Sequence, residues 1–203
     1  MKLYDSPIAP NPRRVRWVMA EKAITDIEVV VMDLRDGLHK QPDFVARSGA
    51  AQLPVLELDD GLVLTESLAI CRYLESLNPE PNLFGTSPRE TAVIEMWTRR
   101  AELTVAHPAM HAVRHTSPHL AALERQDSAF GAFNVAQLEP GLAMLDHQLA
   151  QSEWLAEDRI TIADIVAFIG IDFTRLIRLP ISEDLVSLHR WLAAMRARPA
   201  AGA

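Results

Sequence analysis

The first part of the chain alternates between short apolar runs and helical spacing. Residues 2–5 and 27–32 are predicted strands, and the apolar character of the second is typical of a strand buried on both faces. Asn11 is predicted to cap the helix between them, with Pro12 at its first helical position. The apolar face of this helix is formed by Val15, Val18 and Met19. The chain therefore begins with a βαβ pattern.

A predicted hairpin and a second helix follow. Asp60-Gly61 separates the apolar runs 54–58 and 62–65, and this dipeptide is typical of a tight turn between antiparallel strands. The next helix ends before Asn78-Pro79. Its apolar side is formed by Ile70, Cys71, Leu74 and Leu77. The order βαβ followed by ββα predicts a mixed sheet and a thioredoxin-like domain.

The remainder of the chain shows helical periodicity only. Residues 79–87 are rich in proline and turn-forming residues and are predicted to be a linker. Ser87-Pro88-Arg89-Glu90 is a capping box that opens a long helix, with a bend or break expected at Pro108. Further helices are predicted at 128–150, 162–178 and 183–197. We therefore predict an α/β plus all-α protein, with a thioredoxin-like domain at 1–78, the linker at 79–87 and an all-helical domain at 88–203.

Composition and charge exclude several classes of function. With 20 Lys and Arg against 27 Asp and Glu, the net charge is −7, which argues against nucleic acid as a partner. No apolar run is long enough to cross a bilayer, and the N-terminus has no apolar signal core, so we expect a cytoplasmic protein that does not bind membranes. The one cysteine, Cys71, cannot form an internal disulfide, which fits a reducing compartment.

Three stretches lie where a thioredoxin-like domain would bind an extended peptide. In Gln52-Leu53-Pro54-Val55, a cis proline would turn the backbone of Leu53 outward to pair with a ligand, whereas a trans proline would be an ordinary strand start. Thr65-Glu66-Ser67 opens a helix and suits an α-amino acid head group, or is a plain N-cap. Gly37-Leu38-His39-Lys40 offers cations for a second carboxylate, or is a solvated loop.

Taken in order, these stretches resemble the motifs of the cytosolic glutathione transferases. The N-terminal motifs that carry the resemblance are Tyr4-Asp5-Ser6-Pro7, Arg13-Arg14-Val15, His39-Lys40 before Pro42-Asp43-Phe44, Gln52-Leu53-Pro54-Val55-Leu56 and Glu66-Ser67-Leu68-Ala69-Ile70. Beyond the linker, Thr161-Ile162-Ala163-Asp164 is similar to the capping motif of that family's helical domain. The resemblance covers nearly the whole chain and is strongest to bacterial and fungal members that begin with a Ser-Pro-x-x-Pro stretch.

The resemblance implies a role for each stretch. Leu53 would pair through its backbone with the cysteinyl unit of glutathione beside a cis Pro54, and Glu66 and Ser67 would hold the γ-glutamyl head group. The glycine carboxylate would be faced by His39, Lys40 and Gln52. Glutathione would be the co-substrate, the helical domain would supply an apolar pocket for the electrophile, and the protein would be a homodimer.

One position departs from the family pattern. Several classes carry a serine four residues before Arg13, where its hydroxyl donates a hydrogen bond to the glutathione sulfur, but this chain has Ala9. Ser6 and Asn11 are the nearest residues that could replace that donor, so both are candidate catalytic residues. Each also has a structural explanation, Ser6 as a turn residue and Asn11 as a helix cap.

Histidines recur every four residues between positions 107 and 119, which is the spacing of a zinc-binding pair on a helix. Prolines interrupt the outer positions, so only His111 and His115 form a sound pair, and two ligands do not make a structural site. We therefore expect no metal. The resemblance instead suggests that Met110, Arg114 and His115 contact the electrophile; an exposed polar face is the alternative.

The predicted function is that of an enzyme, a glutathione transferase that joins the thiol to small apolar electrophiles, with peroxidase or disulfide-reductase reactions as side activities. A glutathione- or ligand-binding protein without catalysis is the main alternative, because Ala9 cannot donate. An interaction module of the kind fused to translation factors is a further alternative, but the Glu66-Ser67 pair argues against it. The motifs do not identify the electrophile.

Overall fold

The computed structural model describes all 203 residues, Met1–Ala203, and the chain divides into two compact units. The first unit comprises Met1–Pro81 with Gly202–Ala203, and the second comprises Asn82–Ala201. The division falls within the proline-rich stretch for which the sequence predicts a linker. None of the helices combines the length and the apolar character needed to cross a membrane.

The first unit is a four-stranded sheet with helices. Its elements are β1 (Lys2–Asp5), α1 (Pro10–Glu21), β2 (Glu28–Val31), α2 (Pro42–Ser48), β3 (Val55–Glu57), β4 (Val63–Leu64) and α3 (Ser67–Leu77). The strand order is β2-β1-β3-β4, in which β1 and β2 are parallel and the other two pairs are antiparallel. This mixed sheet confirms the predicted thioredoxin-like class. The short helix α2 was not predicted, because Phe44 and Val45 are too few apolar residues to show a period.

Two predictions about burial in this unit were wrong: that β2 is buried on both faces, and that Leu77 belongs to the apolar side of α3. β2 is an edge strand, with Val29 and Val31 43% and 61% exposed, and is not buried on both faces. Its valines therefore reflect the preference of β-branched residues for strands and not double burial. Leu77 is 50% exposed, because it is the last residue of α3 and lies beyond the part of the helix that packs on the sheet unit's core.

The start of α1 and the loop before α2 also differ from the prediction. α1 begins at Pro10 with Ala9 at the N-cap position, so Asn11 is the second helical residue and does not cap the helix. Proline suits the first helical position because its φ is fixed and its missing N–H would have no partner there. Leu38–Lys40 form a 3₁₀ turn instead of an open loop.

The far end of α1 is joined to α3 by a buried lysine. The side chain of Lys22 is fully buried, and its Nζ lies 2.6 Å from a carboxylate oxygen of Glu75. The same ammonium group donates to the carbonyl oxygens of Asn78 at 2.7 Å and Pro81 at 2.8 Å. Three acceptors thus match the three N–H bonds of the ammonium group, which fixes the chain where α3 ends.

The second unit is helical. Its helices are α4 (Pro88–Ala101), α5 (His107–Thr116), α6 (Ser128–Leu149), α7 (Ile162–Phe173) and α8 (Val186–Arg196). Ser87 caps α4 as predicted, by accepting from the N–H of Glu90 at 3.2 Å. The carboxylate of Glu90, however, accepts from the N–H and hydroxyl of Thr86 and not from Ser87.

The break expected at Pro108 lies just before that residue. Glu102–Ala106 form a π-helical turn between α4 and α5, and Pro108 is already in the first turn of α5. A Cβ on Gly141 would lie 2.4 Å from the carbonyl oxygen of Thr104, and one on Gly170 would lie 2.7 Å from Cα of Ala106. The backbone of the π turn therefore packs directly on two glycines of α6 and α7.

The start of α7 is held by a fully buried carboxylate. Oδ1 of Asp164 accepts from the N–H of Leu155 and from Nε1 of Trp191, both at 3.0 Å. Oδ2 accepts from the N–H of Thr161 at 3.0 Å and from its hydroxyl at 2.9 Å. Burial raises the pKa of this carboxyl, and the four hydrogen bonds oppose the shift. The predicted capping motif is therefore present, and it also binds α8 through Trp191.

Candidate functional site

The sheet brings the predicted ligand-binding stretches to one end of the first unit. Tyr4 of β1 pairs with Val55 of antiparallel β3, so the residues after β1 and before β3 share an edge of the sheet. Leu64 of β4 pairs with Leu56, so residues 65–67 return to the same edge. β2 is parallel to β1 and also ends there. Strand pairing alone thus gathers segments that are far apart in sequence.

Leu53 and Pro54 lie at this edge with a cis peptide bond between them, as the resemblance implied. The Leu53 side chain is buried in a cluster with Tyr4, Met32, Phe44 and Val55. Its backbone N–H and C=O make no hydrogen bond within the chain. The side chain is therefore anchored inward, while the backbone offers one donor and one acceptor for strand-like pairing with an extended ligand.

The start of α3 has an unusual backbone. Glu66 precedes the helix with a φ of 64°, a conformation uncommon for residues other than glycine and often found at ligand sites. Its exposed carboxylate makes no capping hydrogen bond, so Glu66 is not a plain N-cap. Ser67, the first helical residue, is 5% exposed. A carboxylate, a hydroxyl and the free N–H groups of a helix start are therefore adjacent.

The start of α1 contains polar groups without partners. Ser6 is 1% exposed, and its hydroxyl has no hydrogen-bond partner within the chain. The side-chain oxygen of Asn11 is also buried without a partner. Pro10 and Pro12 have no N–H, so Asn11 carries the one backbone N–H among the first three residues of the helix. Buried polar groups are normally satisfied, so Ser6 and Asn11 remain candidate contacts for a ligand.

Arg16 fixes the loop that carries Ser6. Its guanidinium group forms an ion pair with the buried Asp5 at 2.5 Å. It also donates to the carbonyl oxygens of Ser6 and Pro7, both at 3.3 Å. These contacts hold the backbone of the loop and leave the Ser6 hydroxyl unused.

Tyr4 does not belong to this group of residues. Its hydroxyl donates to the carboxylate of Glu57 at 2.8 Å and accepts from Arg47 at 3.1 Å. Its ring packs edge-on against Phe44 of α2. Burial and the contact with Glu57 raise the pKa of Tyr4. Tyr4 therefore joins the sheet to α2 and is not placed as a donor to a thiol.

The third predicted stretch follows β2. His39 is 7% exposed and lies in the 3₁₀ turn, whereas Lys40 and Gln52 are exposed. Lys40 and Gln52 are thus accessible to a ligand, whereas the side chain of His39 is buried at its 3₁₀ turn.

Two comparisons identify the family. The family model for the glutathione S-transferase N-terminal domain matches residues 8–77, and the C-terminal domain model matches residues 132–199. Glutathione S-transferase 2 of Saccharomyces cerevisiae is 34% identical over 202 residues, which cover 98% of this chain and 87% of that protein. The chain belongs to the glutathione S-transferase family. The resemblance and the predicted enzyme class, glutathione transferase, are both confirmed.

Solved structures of glutathione transferases agree with this assignment. The crystal structure of Gtt2 from Saccharomyces cerevisiae matches with a TM-score of 0.92 and 33% identity, covering 98% of both chains. A glutathione S-transferase domain-containing protein from Marinobacter aquaeolei matches with a TM-score of 0.91 and 38% identity, covering 98% of this chain and 99% of its own.

Arg14 is a residue of this glutathione transferase whose contact the sequence reasoning missed. Its side chain is 2% exposed, and its Nη1 donates to Oγ of Ser67 at 3.3 Å. A signal was present in the sequence, because Arg14 lies four residues before Val18 and so shares the buried face of α1.

The candidate electrophile contacts of the glutathione transferase lie on α5. Met110 is buried at 7% exposure, and Arg114 is exposed with its Nε 3.3 Å from a carboxylate oxygen of Glu124. Nδ1 of His115 accepts from the N–H of Asp127 at 3.0 Å, so a neutral ring carries its proton on Nε2.

The histidine pair predicted on this helix packs on an aromatic ring. His111 and His115 both lie edge-on to Phe130, with ring centroids 5.2 and 5.0 Å away. Burial and the neighbouring Arg114 lower the pKa of His111. No group of three His, Cys, Asp or Glu side chains in the chain could hold a metal ion.

Proposed function

We propose that this glutathione transferase binds glutathione along the end of the sheet where β1, β3 and β4 meet α1 and α3, and joins the sulfur to small apolar electrophiles. The observation that carries the proposal is the convergence of three features at that end: the unpaired backbone of Leu53, the carboxylate and hydroxyl of Glu66 and Ser67, and the unpartnered Ser6 hydroxyl beside the backbone N–H of Asn11.

Each part of the tripeptide has a complementary group. The cysteinyl unit pairs with the backbone of Leu53 in the manner of an added strand. Glu66 attracts the γ-glutamyl ammonium group, while the carboxylate of that head group accepts from Ser67 and the first N–H groups of α3. The glycine carboxylate is faced by His39, Lys40 and Gln52.

The sulfur is activated by several weak donors at the start of α1. A free thiol has a pKa of about 8.5, and lowering it by one unit requires about 1.4 kcal/mol of preferential interaction with the thiolate. The N–H and the amide of Asn11, the Ser6 hydroxyl and the positive end of the helix dipole together supply that interaction. The thiolate then attacks an electrophilic carbon, whose leaving group departs with the electron pair. No single side chain dominates.

Several finer features belong to the same proposal. Met110, Arg114 and His115 contact the electrophile, and the neutral His115 offers its Nε2–H as a donor. Attack of the same thiolate on a peroxide or a disulfide would give the side activities. The protein is expected to act as a cytoplasmic homodimer without nucleic acid or a metal.

The test pairs a binding measurement with a turnover measurement. Calorimetry with glutathione gives affinity, and conjugation to an activated aryl halide gives activity. We expect both, together with a thiolate absorbance of bound glutathione that titrates below the free thiol. Binding with an unshifted thiol and without turnover of any apolar electrophile in a panel would favour the carrier function, for which Ala9 is the argument.

A further inference from the structure

Arg14 is a buried cation at the start of the glutathione site. Its side chain is 2% exposed although it lies in the first half of α1, where the neighbouring Arg16 is only half-buried. Charged side chains are almost never buried to this extent unless they have a specific partner. One such partner is Ser67, the first residue of α3, at 3.3 Å between Nη1 and Oγ.

The direction of this hydrogen bond is fixed by chemistry. A guanidinium group has five N–H donors and no acceptor, so Arg14 must donate and the Ser67 oxygen must accept. The hydroxyl proton of Ser67 therefore points away from Arg14. A serine without such a neighbour could rotate its proton and either accept from an ammonium group or donate to a carboxylate.

The charge of Arg14 also acts on the first turns of α3. Cys71 lies four residues after Ser67 and so shares its face of the helix. Burial raises the pKa of the Cys71 thiol to about 12, and the guanidinium group of Arg14 opposes that shift. The positive charge thus lies beside the first residue of α3, Ser67, whose hydroxyl can donate and whose N–H has no partner within the helix.

We propose that Arg14 is a positioning residue that holds the Ser67 hydroxyl as a donor and makes this subsite select a carboxylate in the ligand. The inference rests on the proposed function, because it assumes that the γ-glutamyl head group binds at Glu66 and Ser67. It adds the reason why the subsite discriminates between the two charged groups of an α-amino acid. Glu66 faces the ammonium group, and the Arg14–Ser67 pair faces the carboxylate.

The experiment is a double-mutant cycle with two ligands. Arg14→Met, Ser67→Ala and the double variant are titrated with glutathione and with its analogue in which the γ-glutamyl α-carboxylate is a carboxamide. The parent should prefer the acid over the amide. Arg14→Met and Ser67→Ala should each reduce that preference by about tenfold, and the double variant should lose little more, because both changes remove the same interaction. Arg14→Lys should restore part of the preference, since it keeps the charge.

Lys22→Met is the matched control. It also removes a buried cation that joins the α1 region to α3, but at the opposite end of the helices. It should lower thermal stability and leave the preference for the acid unchanged. If Arg14→Met does not fold, Arg14→Gln and Arg14→Lys are compared in its place, with the neutral variant expected to lose more of the preference.

The outcomes separate the two proposals. Equal weakening of acid and amide by Arg14→Met, or strictly additive effects in the cycle, would overturn the positioning role and leave the glutathione site standing. Unchanged glutathione affinity in Ser67→Ala would instead overturn the site itself.

Discussion

Asp164 and Ser6 are both buried, but their hydrogen bonding is opposite. The carboxylate of Asp164 is 0% exposed and accepts four hydrogen bonds from three residues. Ser6 is 1% exposed, and its hydroxyl has no hydrogen-bond partner in the chain. The first group completes the helical unit. The second lies in the sheet unit, where the proposed ligand would supply its missing partner.

Hydrogen bonding thus distinguishes these two residues, whereas burial does not. An unsatisfied buried donor or acceptor costs stability, and a ligand that supplies the missing partner recovers the loss. The Oγ of Ser117 in the helical unit is also buried without a partner, so such an atom alone does not mark a site. Asn11 differs from Ser6 in that its unpartnered buried atom is the side-chain oxygen, an acceptor, so its backbone N–H is the donor near the start of α1. We therefore expect changes at Asp164 to affect stability and changes at Ser6 or Asn11 to affect chemistry.

The largest effect is expected from Asp164→Ala. It leaves the donors of Leu155, Thr161 and Trp191 buried without an acceptor, so the free energy of unfolding should fall by roughly 3–5 kcal/mol. Urea denaturation measures this loss. The exposed cap Asp127, which accepts from two N–H groups at the start of α6, is the control, and Asp127→Ala should cost ~0.5–2 kcal/mol. Equal losses in the two variants would show that burial of the network adds nothing.

The next largest effect concerns affinity. Glu66→Ala or Ser67→Ala removes a charge-assisted contact worth about 1.5–3 kcal/mol, so glutathione should bind roughly tenfold to a hundredfold more weakly. Glu66→Ala should leave the fold intact, because the exposed Glu66 side chain does not cap α3. Ser67→Ala also removes an acceptor of the buried Arg14, so some loss of stability is expected there. Calorimetry gives the affinity and thermal denaturation gives the stability. A parent-like affinity in both variants would remove these residues from the site.

A smaller effect is expected at the sulfur. Ser6→Ala and Asn11→Ala should each lower kcat by less than the roughly 10²–10³-fold that accompanies loss of a principal oxyanion donor, because several donors share the thiolate. The pKa of bound glutathione should rise slightly in each variant, as followed by thiolate absorbance. Loss of roughly a thousandfold in one variant would identify that residue as the principal activator.

The secondary structure of both units could largely be predicted from the sequence. The spacing of apolar residues predicted β1 and the long helices, and the turn-forming pair Asp60-Gly61 predicted the hairpin, because these patterns lie within each element. The capping motif that ends in Asp164 was also recognisable, since its residues are local. The mixed sheet followed from the order of the elements.

The remaining features depend on contacts between distant residues. The contact of Arg14 with Ser67 joins positions 53 residues apart, and no local pattern encodes it. The Asn11 cap was wrong because either Pro10 or Pro12 could start the helix, and the structure uses the earlier one. The exposure of β2 follows from its place at the edge of the sheet, which its own apolar sequence does not reveal.

The smallest effect is expected at Glu90, which tests whether the number of hydrogen bonds or their burial gives Asp164 its importance. Glu90 accepts from the N–H and hydroxyl of Thr86 and pairs with Arg159, but its side chain is 17% exposed. The Thr86 N–H first, and then Arg159 and the Thr86 hydroxyl, lower the pKa of Glu90 from 4.5 to about 2. A carboxyl whose pKa is lower in the folded state stabilises the fold above the unfolded pKa. That contribution is lost as the pH falls from 4.5 to about 2.

Glu90→Gln has no carboxyl group to titrate at this position. Its melting temperature at neutral pH should therefore lie below that of the parent, by less than in Asp164→Ala. The difference from the parent should disappear as the pH falls from 4.5 to about 2. A gap as large as that of Asp164→Ala would mean that burial does not set the difference. A gap that does not change with pH would contradict the lowered pKa of Glu90.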